Sequence, residues 1–353
     1  MVVVPQTLEK EALAEASGCP KVAVVILNWN GRYHLEKFLP TVFNSRYPEL
    51  RVIIGDNGST DDSVAFVHEN YPAIEVIQND RNYGFAEGYN RILSQIEADY
   101  FVLLNSDVEV DPDWVGPVID LLESQPDMAA AQPKIRSYLN RDEFEYAGAA
   151  GGFIDAYGYP FCRGRVLQHV EKDLGQYDDA VDIFWATGAA LFIKRRCWLE
   201  VGGFDGDFFA HMEEIDLCWR LKRLGYRLGY CPKAVVYHVG GATLNKSNPQ
   251  KTYLNFRNNL FMLQKNLPKG KAIWTIFIRF WLDFAALLRF ALGGHFKDAA
   301  AVSRAHRSFF RSFSKTAQKR HQPQALADKR GWYSGSVVWD YYLRGKKKFS
   351  DIL

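Results

Sequence analysis

A polar, acidic stretch follows directly on a run of apolar residues at NSDVEV, residues 105–110. A carboxylate on the loop after a buried strand can bind a hard divalent cation, and that cation can bridge two phosphates of a nucleotide. Asp107 is therefore the candidate metal ligand, and Glu109 is a candidate second ligand. The alternative interpretation is a turn that ends a strand, which is the commoner meaning of an isolated Asp-x-Glu pattern.

A second acidic cluster lies in MEEIDLCWR, residues 212–220, where Glu213, Glu214 and Asp216 stand close together. Like charges that are packed together raise one another's pKa, as a general base working near neutral pH requires. The cluster could equally be the acidic first turn of an ordinary helix, which the helix dipole favours.

Three basic residues complete the set of candidate functional groups. His238 ends the apolar run of VVYHVGG and becomes a ligand only if Asp107 holds a metal; otherwise it is a structural histidine. Lys251 and Arg257, in KTYLNFRNNL, could contact phosphate, and arginine is suited to bidentate contact. A solvated helix face is the alternative for these two.

Alternating strands and helices must position these groups. Apolar runs predict strands at KVAVVILNWN, RVIIGDNGS, IEVIQND and YFVLLNSDVEV, and helices are predicted over residues 32–45, about 59–70 and 84–97. This order predicts a doubly wound parallel sheet, in which ligands bind beyond the carboxyl ends of the strands. The polar residues at those ends are Asn28, Asn30, Asp56, Asn57, Asn79, Asn82, Asn105, Ser106 and Asp107. Neither glycine-rich phosphate-loop pattern is present, so another group must neutralise phosphates.

The rest of the chain gives weaker signals. Residues 130–180 are rich in glycine and aromatics and predict a loop or hairpin region. A strand and a short helix follow in WATGAALFIKRRCWLEVGGFD, then an acidic loop, an amphipathic helix and the strand AVVYHVGG. From residue 250 onward the pattern is helical and basic.

Composition narrows the class of protein. The 353 residues are 48% hydrophobic and 24% charged, which is globular and excludes collagen-like or wholly disordered chains. Five cysteines without a Cys-x-x-Cys pair indicate neither a disulfide framework nor a zinc knuckle, and they favour a reducing compartment. With no export signal recognisable at the N-terminus, we expect a cytoplasmic chain. The longest apolar stretch, 272–293, is interrupted by three charged residues, so no membrane-spanning helix is expected.

Charge is divided unevenly along the chain. Residues 1–264 hold 25 Lys and Arg against 36 Asp and Glu, a net charge of −11, whereas residues 265–353 hold 18 against 5, a net charge of +13. The two parts are therefore expected to face different partners. An apolar face in the basic part carries Trp274, Phe277, Trp281, Phe284 and Leu288. This face suits an interfacial helix on the inner side of an anionic membrane, or equally packing on the N-terminal part of the chain or in a homodimer. Nucleic acid is disfavoured because no binding module is recognisable.

Several motifs occur together in a characteristic order: NWNG, GDNGSTDDS, RNYGFAEGYN, LLNSDVEV, TGAALFIKR, EEIDLCWRLKRLGY and YHVGG. Over about residues 21–265 the chain resembles the family-2 glycosyltransferases, and most closely their rhamnosyltransferase-like members. The resemblance implies an α/β GT-A fold, a nucleotide-diphosphate sugar donor, a divalent metal (Mg²⁺ or Mn²⁺) and inversion at the anomeric carbon.

The resemblance also implies roles for single residues. Asp56 matches the residue that contacts the donor's base, Asp107 the last Asp of the Asp-x-Asp motif, and Glu214 the catalytic base. His238 matches a histidine that completes the metal shell in some members. The residues expected to line the nucleotide and sugar are Asn28, Asn57, Asn82, Gly84, Phe85, Asn90 and Ser106, with Arg257 and Asn258 near the diphosphate. Two positions depart from the family: Asn105 and Glu214 stand where many relatives have Asp.

The sequence thus predicts a polar leader over residues 1–20, a GT-A domain over 21–265 and a helical, basic region over 266–353. The expected activity is metal-dependent transfer of a sugar, with dTDP-rhamnose the favoured donor, to a glycan or lipid-linked glycan acceptor of the cell surface. Two alternatives remain: a non-catalytic nucleotide-sugar-binding or scaffold protein with the same fold, and a sugar-phosphate nucleotidyltransferase. The second is disfavoured because ILNWNGRYH does not resemble the glycine-rich, basic loop of that class.

Overall fold

The computed structural model describes residues 18–240, 248–320 and 326–353, so most of the predicted polar leader lies outside the described residues. Its first half confirms the predicted alternation of strands and helices. The elements are β1 (Val22–Asn28), α1 (Arg32–Phe43), β2 (Leu50–Asp56), α2 (Ser63–Asn70), β3 (Glu75–Gln78), α3 (Gly84–Leu93) and β4 (Tyr100–Leu104). The four strands are parallel in the order β3-β2-β1-β4, and Asn28 lies opposite Asp56 at their carboxyl ends.

The next elements widen this sheet and add a second one. They are β5 (Val108–Val110), α4 (Gly116–Ser124), β6 (Met128–Ser137), β7 (Gly152–Asp155), β8 (Pro160–Cys162), β9 (Arg165–Val166), β10 (His169–Val170), β11 (Val181–Asp182), β12 (Ala190–Lys194), α5 (Arg195–Glu200), α6 (Glu213–Arg223) and β13 (Arg227–His238). The large sheet has the order β11-β13-β6-β12-β4-β1-β2-β3, with β5 paired to β13. Because β12 is antiparallel to both β4 and β6, the complete sheet is mixed.

One sequence prediction needs correction, and a second is confirmed in more detail than the pattern gave. The segment YFVLLNSDVEV is not one strand, because the polar turn after Leu104 directs Val108–Val110 away from β4 to an antiparallel pairing with β13. The glycine-rich segment predicted as a loop or hairpin region does form antiparallel hairpins, and these build most of a five-stranded sheet, in the order β10-β9-β8-β7-β14. Its short strands, of two to four residues, give too little alternation for a pattern to be recognised.

The C-terminal part is helical, as predicted. It contains α7 (Pro249–Asn266), α8 (Lys269–Leu292), α9 (Phe296–Arg311), α10 (Phe313–Gln318), β14 (Trp332–Tyr333) and α11 (Val337–Leu343). The short strand β14 pairs in parallel with β7, with Trp332 opposite Ile154. Within the described ranges no helix combines the length and the apolar character that crossing a bilayer requires.

Apolar residues fill both faces of the large sheet. Successive side chains of a strand point to opposite faces, so Val22 and Val24 belong to one buried cluster while Ala23 and Val25 belong to the other. The second cluster continues as far as Phe349 and Ile352. The C-terminal segment is therefore packed into the same core as the sheet that positions the candidate site.

Candidate active site

The pairing of β5 with β13 brings together the two strongest metal candidates. Val108 lies opposite His238, which places the preceding Asp107 beside the imidazole. The Oδ1 atom of Asp107 is 3.2 Å from Nε2 of His238, and Oδ2 accepts a hydrogen bond of 3.2 Å from the backbone N–H of Gly240. Both side chains are buried, with Asp107 3% and His238 4% exposed. The structure thus joins two residues that lie 131 positions apart in the sequence.

A third residue, Glu145, was not identified from the sequence. Its Oε2 lies 3.4 Å from Nδ1 of His238, on the side of the ring away from Asp107. Burial lowers the pKa of His238, but the carboxylates of Asp107 and Glu145 outweigh it and raise that pKa to about 10. Burial in turn raises the pKa of Asp107, yet the histidine holds it below its usual value. Glu145 belongs to no recognisable motif, so no sequence signal could have found it.

This arrangement fits a divalent cation. A metal-ligating histidine usually has a carboxylate beside its other ring nitrogen, and here the Glu145 carboxylate lies 3.4 Å from Nδ1. Nε2 and the Asp107 carboxylate face one another, and Mg²⁺ or Mn²⁺ commonly takes few protein ligands and completes its shell with substrate phosphates and water. Among the described residues, no group of three or more His, Cys, Asp or Glu side chains is arranged to hold a metal by itself. Glu109, the other candidate, bonds to Arg141 at 2.7 Å.

The base-binding candidate, Asp56, is held in place by Asn28. The Nδ2 of Asn28 donates to Asp56 Oδ1 at 3.0 Å and also to the hydroxyls of Ser59 and Ser63. The Oδ1 of Asn28 is buried with no hydrogen-bond partner in the described part of the chain. A Cβ at Gly31 would lie 2.4 Å from that oxygen and 3.8 Å from Ser106 Oγ. Glycine at position 31 therefore avoids a steric clash with the Asn28 side chain.

The loop after β3 is built around Asn57. Its Nδ2 donates to Asn82 Oδ1 at 3.0 Å and to the carbonyl of Gly84 at 2.9 Å, and its Oδ1 accepts from Asn79 at 3.0 Å. Gly84 has a φ of +77°, and a Cβ there would come within 2.4 Å of the Phe209 ring. Asn57, Asn82 and Gly84 thus shape the loop by bonding to one another, and Gly84 permits close contact with the loop before α6.

Phe85 and Asn90, on α3, contact the segment that leads to the acidic cluster. The side-chain amide of Asn90 makes two hydrogen bonds of 2.9 Å with the backbone N–H and C=O of Phe204. The ring of Phe85 packs on Tyr89 and Phe204, and its N–H donates to the carbonyl of Phe209. In this structure both residues fix the course of the chain from Phe204 to Phe209.

That segment has an uncommon backbone. Phe209, His211 and Met212 have φ values of 65°, 69° and 71°, a left-handed conformation that costs free energy for residues other than glycine. Such strain persists only where surrounding contacts hold it. Here the Nδ2 of Asn258 donates to the carbonyls of Phe208, Ala210 and His211, at 2.9, 2.8 and 2.7 Å.

Arg257 supports the same segment. Its Nη2 donates to the carbonyls of Asp207 and Phe208 at 3.0 and 2.9 Å, and its Nε donates to Asn258 Oδ1 at 2.8 Å. The sequence placed Arg257 and Asn258 near the diphosphate. The contacts in the structure are with the backbone of residues 207–211, which leads directly to Glu214.

Glu214, the second residue of α6, has a carboxylate oxygen that is not engaged in a hydrogen bond. Its Oε2 is buried and has no hydrogen-bond partner among the residues that the structure describes, and the same holds for Glu213 Oε2 and His211 Nε2. Burial raises the pKa of Glu214 to about 7, and burial together with the charge of Glu214 raises that of Glu213 well above its usual value. Asp216, by contrast, bonds to Lys265 and Arg220, each at 2.9 Å. Glu214 is therefore suited to accept a proton, whereas Asp216 is engaged in structural ion pairs.

His211 is a further candidate that the sequence did not indicate. Burial and the nearby charge of Lys251 lower its pKa to about 4, so its imidazole is neutral near neutral pH. A neutral, unpartnered Nε2 can donate or accept a hydrogen bond with a sugar hydroxyl.

Two solved structures share this fold. GalNAc-T7 with UDP, GalNAc and Mn²⁺ aligns with a TM-score of 0.55 and 14% identity over 72% of this chain and 49% of that chain. The mannosyltransferase PcManGT from Pyrobaculum calidifontis, in complex with GDP-Man and Mn²⁺, aligns with a TM-score of 0.53 and 16% identity over 89% and 91% of the two chains. These likenesses confirm the predicted GT-A fold.

Curated relatives are more similar in sequence. An N-acetylglucosaminyl-diphospho-decaprenol L-rhamnosyltransferase of Mycobacterium tuberculosis is 27% identical, over 61% of this chain and 75% of its own. Rhamnosyltransferase WbbL of Escherichia coli is 24% identical, over 62% and 83%. Residues 20–253 match the family described as glycosyltransferase like family 2, which is well over half of the chain. The chain therefore belongs to glycosyltransferase family 2 and is a glycosyltransferase.

Proposed function

We propose that this enzyme transfers a sugar, with inversion, from a nucleotide-diphosphate donor to a glycan or lipid-linked glycan acceptor in cell-surface polysaccharide synthesis. The favoured donor is dTDP-rhamnose, because the sequence motifs and the two relatives described above point to rhamnosyl transfer. The reaction is proposed to depend on Mg²⁺ or Mn²⁺, which agrees with the Mn²⁺ present with both structural neighbours.

The observation that carries the proposal is the buried, unpartnered Oε2 of Glu214. A general base must have a free acceptor atom and a pKa close to the working pH. We propose that Oε2 takes the proton from an acceptor hydroxyl while that oxygen forms a bond to the anomeric carbon. The bond from this carbon to the diphosphate oxygen breaks on the opposite face, which inverts the configuration. Glu213, whose pKa burial and the charge of Glu214 raise well above its usual value, lies beside the base.

The donor is proposed to lie along the carboxyl ends of β1, β2 and β4. Asp56, fixed by Asn28, would contact the nucleobase of the donor. Asp107 and His238 would hold the divalent cation. When bound, this cation would neutralise the charge that develops on the leaving diphosphate. Glu145 would orient the imidazole of His238. Arg257 and Asn258 would act as positioning residues by fixing the backbone before Glu214.

The experiment is a donor panel in which released nucleoside diphosphate is followed with and without Mg²⁺ or Mn²⁺. Glu214→Gln removes the proton acceptor without changing the size of the side chain, and Glu213→Gln is the matched control on the same turn of α6. We expect metal-dependent turnover of one donor, lost at least about 100-fold in E214Q but largely retained in E213Q. Calorimetric binding of the donor's nucleoside diphosphate should be the same in both variants.

The opposite pattern, with E214Q active and E213Q inactive, would show that the base is assigned to the wrong glutamate. Turnover of a donor other than dTDP-rhamnose would retain the transferase but correct its substrate. If no nucleoside diphosphate bound at all, the proposed donor site would be wrong.

A further inference from the structure

Helix α8 exposes a row of large apolar side chains to solvent. Trp274, Phe277, Trp281, Phe284 and Leu288 are 63%, 52%, 64%, 49% and 45% exposed. Their spacing of three and four residues places them on one face of the helix, which we call the aromatic face. A row of this size is uncommon on a free surface, because exposed aromatic area in water costs free energy unless a partner covers it.

The opposite side of α8 is fixed to the protein. Thr275, Arg279 and Asp283 are buried. The Nη1 of Arg279 donates to the carbonyl of Tyr157 at 3.0 Å, and Asp283 Oδ2 lies 3.1 Å from Nε2 of His306 on α9. These buried contacts hold the helix in one rotational position. The aromatic face therefore cannot turn inward without breaking a charged network.

The charges around the aromatic face have one sign. Lys269 and Lys271 are exposed at the start of α8, and Arg289 and Lys297 are exposed at and beyond its end. Asp283 is the sole acidic residue between positions 269 and 297, and it is fully buried. Asp298, next to Lys297, is half-buried and accepts a hydrogen bond from Thr252. Both ends of α8 thus carry exposed positive charge, and α8 itself exposes no carboxylate.

Helix α11 adds exposed apolar side chains near the end of α8. The guanidinium of Arg289 contacts the hydroxyl of Tyr342, which brings the end of α8 beside this helix. On α11, Trp339 is 56% and Leu343 65% exposed. The exposed Lys347 and Lys348 follow shortly after.

We propose that the aromatic face and its basic surroundings dock on the surface of an anionic lipid bilayer. Tryptophan and phenylalanine partition into the headgroup and upper acyl region, and lysine and arginine at the margins attract anionic lipids. A second copy of the chain fits less well, because both ends of α8 are basic. Parallel or antiparallel pairing of two α8 helices would then bring like charges together. The proposal goes beyond sugar transfer, since docking requires neither donor nor acceptor.

The test is co-sedimentation of the full chain with vesicles, without nucleotide sugar. We compare phosphatidylcholine alone with phosphatidylcholine containing about 30% phosphatidylglycerol. We expect at least about tenfold stronger partitioning to the anionic vesicles, weakened by salt. The double substitution Trp274→Ser and Trp281→Ser should lower it roughly tenfold. Leu174→Ser with Leu199→Ser is the matched control, because these side chains are also exposed but lie elsewhere. Charge reversal by Lys269→Glu and Lys271→Glu should weaken binding to anionic vesicles and leave binding to neutral vesicles unchanged.

Equal partitioning to neutral and anionic vesicles, or unchanged partitioning of W274S/W281S, would overturn the proposal. So would concentration-dependent dimerisation of the native chain that W274S/W281S abolishes, because the aromatic face would then belong to a second copy. Circular dichroism and release of nucleoside diphosphate with water-soluble substrates should be unchanged in these variants. This readout separates a failure of docking from a failure of the proposed transfer reaction.

Discussion

The carboxyl of Glu214 must lose its proton before it can act as a base, and burial raises its pKa to about 7. We therefore predict that kcat/KM rises about tenfold per pH unit below this value and levels off above it. The raised pKa also means that the folded chain holds this proton more tightly than the unfolded chain. The contribution of Glu214 to the free energy of unfolding consequently falls as the pH rises from the usual glutamate pKa to about 7.

The measurement is a pH profile of initial rates with the donor identified by the panel. E213Q is the control, since this substitution would leave the burial of Glu214 in place and the rising limb should persist. A flat profile between about pH 5 and 8 would show that a group other than Glu214 limits the rate.

At the other end of the site, the structure predicts unequal roles for two acidic residues in NSDVEV. Asp107 faces His238, whereas Glu109 bonds to Arg141 at 2.7 Å. Asp107→Asn should weaken Mn²⁺ binding in the presence of a nucleoside diphosphate by about 10- to 100-fold, and Glu109→Gln should leave it nearly unchanged. Electron paramagnetic resonance of free Mn²⁺ measures the Mn²⁺ affinity of both variants and does not depend on enzymatic activity. Equal weakening by the two substitutions would restore Glu109 as a ligand.

These residues show how far sequence could lead to the site. That Asp107 and Asp56 lie at one edge of the sheet was predictable, because parallel strands bring their carboxyl ends together there. The contact between Glu145 and His238 was not predictable, because the two residues lie 93 positions apart and Glu145 belongs to a segment without a recognisable pattern. Residue type alone could not distinguish an arginine that contacts phosphate from one that, like Arg257, donates to backbone carbonyls.

Helix α7 fixes the strained segment before Glu214, and two neighbouring asparagines on it allow that role to be tested. Asn258 donates to three carbonyls of the segment, whereas Asn259 donates to the carbonyl of Gly158 in the second sheet's hairpin. Both side chains are buried, so either alanine substitution should cost about 1–3 kcal/mol of stability. We predict that N258A, unlike N259A, also lowers kcat about 100-fold, with little change in the KM for the donor.

Asn258→Asp is the second variant, because a carboxylate cannot donate to the three carbonyls although it has the same shape. It should lower kcat as N258A does. If N258A and N259A lowered kcat equally, Asn258 would be acting through general stability and would not be positioning the base.

Among the elements, long buried strands were predicted well and pairing partners were not. The run from Val22 to Asn28 is apolar throughout, as a strand buried on both faces must be. The departure of β5 toward β13 depends on a partner more than 120 residues later, which local pattern cannot reveal. That departure nevertheless creates the contact between Asp107 and His238.

At the scale of the whole molecule, the opposite charges of the two parts of the chain meet in part within the fold. Lys265 bonds to Asp205 at 2.7 Å, and Lys319 contacts both Asp205 and Asp207. Burial opposes ionisation of Asp205, but these lysines hold its pKa well below the usual range. Lysines of the basic part of the chain therefore form ion pairs just before the strained segment. These ion pairs neutralise part of the positive charge of that part. From the sequence we expected the acidic and the basic part of the chain to face different partners, whereas these lysines and aspartates pair with one another.

The last prediction asks whether the C-terminal region unfolds with the sheet. Phe349 is 8% exposed, and its ring centroid lies 4.7 Å from that of Phe153 and 6.0 Å from that of Phe161 in the second sheet. Phe349→Ala should therefore lower the free energy of unfolding by about 3 kcal/mol or more. Phe296→Ala, at a site 69% exposed, should change it by less than about 0.5 kcal/mol.

Urea unfolding followed by far- and near-ultraviolet circular dichroism distinguishes the two arrangements. A shared core predicts one cooperative transition whose midpoint falls in F349A by both signals, because the cluster that contains Phe349 also contains Val25 and Phe101 of the large sheet. A separate C-terminal domain would give two transitions, and F349A would then shift the smaller one and leave that of the sheet in place. In the first case residues 266–353 stabilise the site itself, since loss of their packing would also release Lys319 from Asp205 and Asp207.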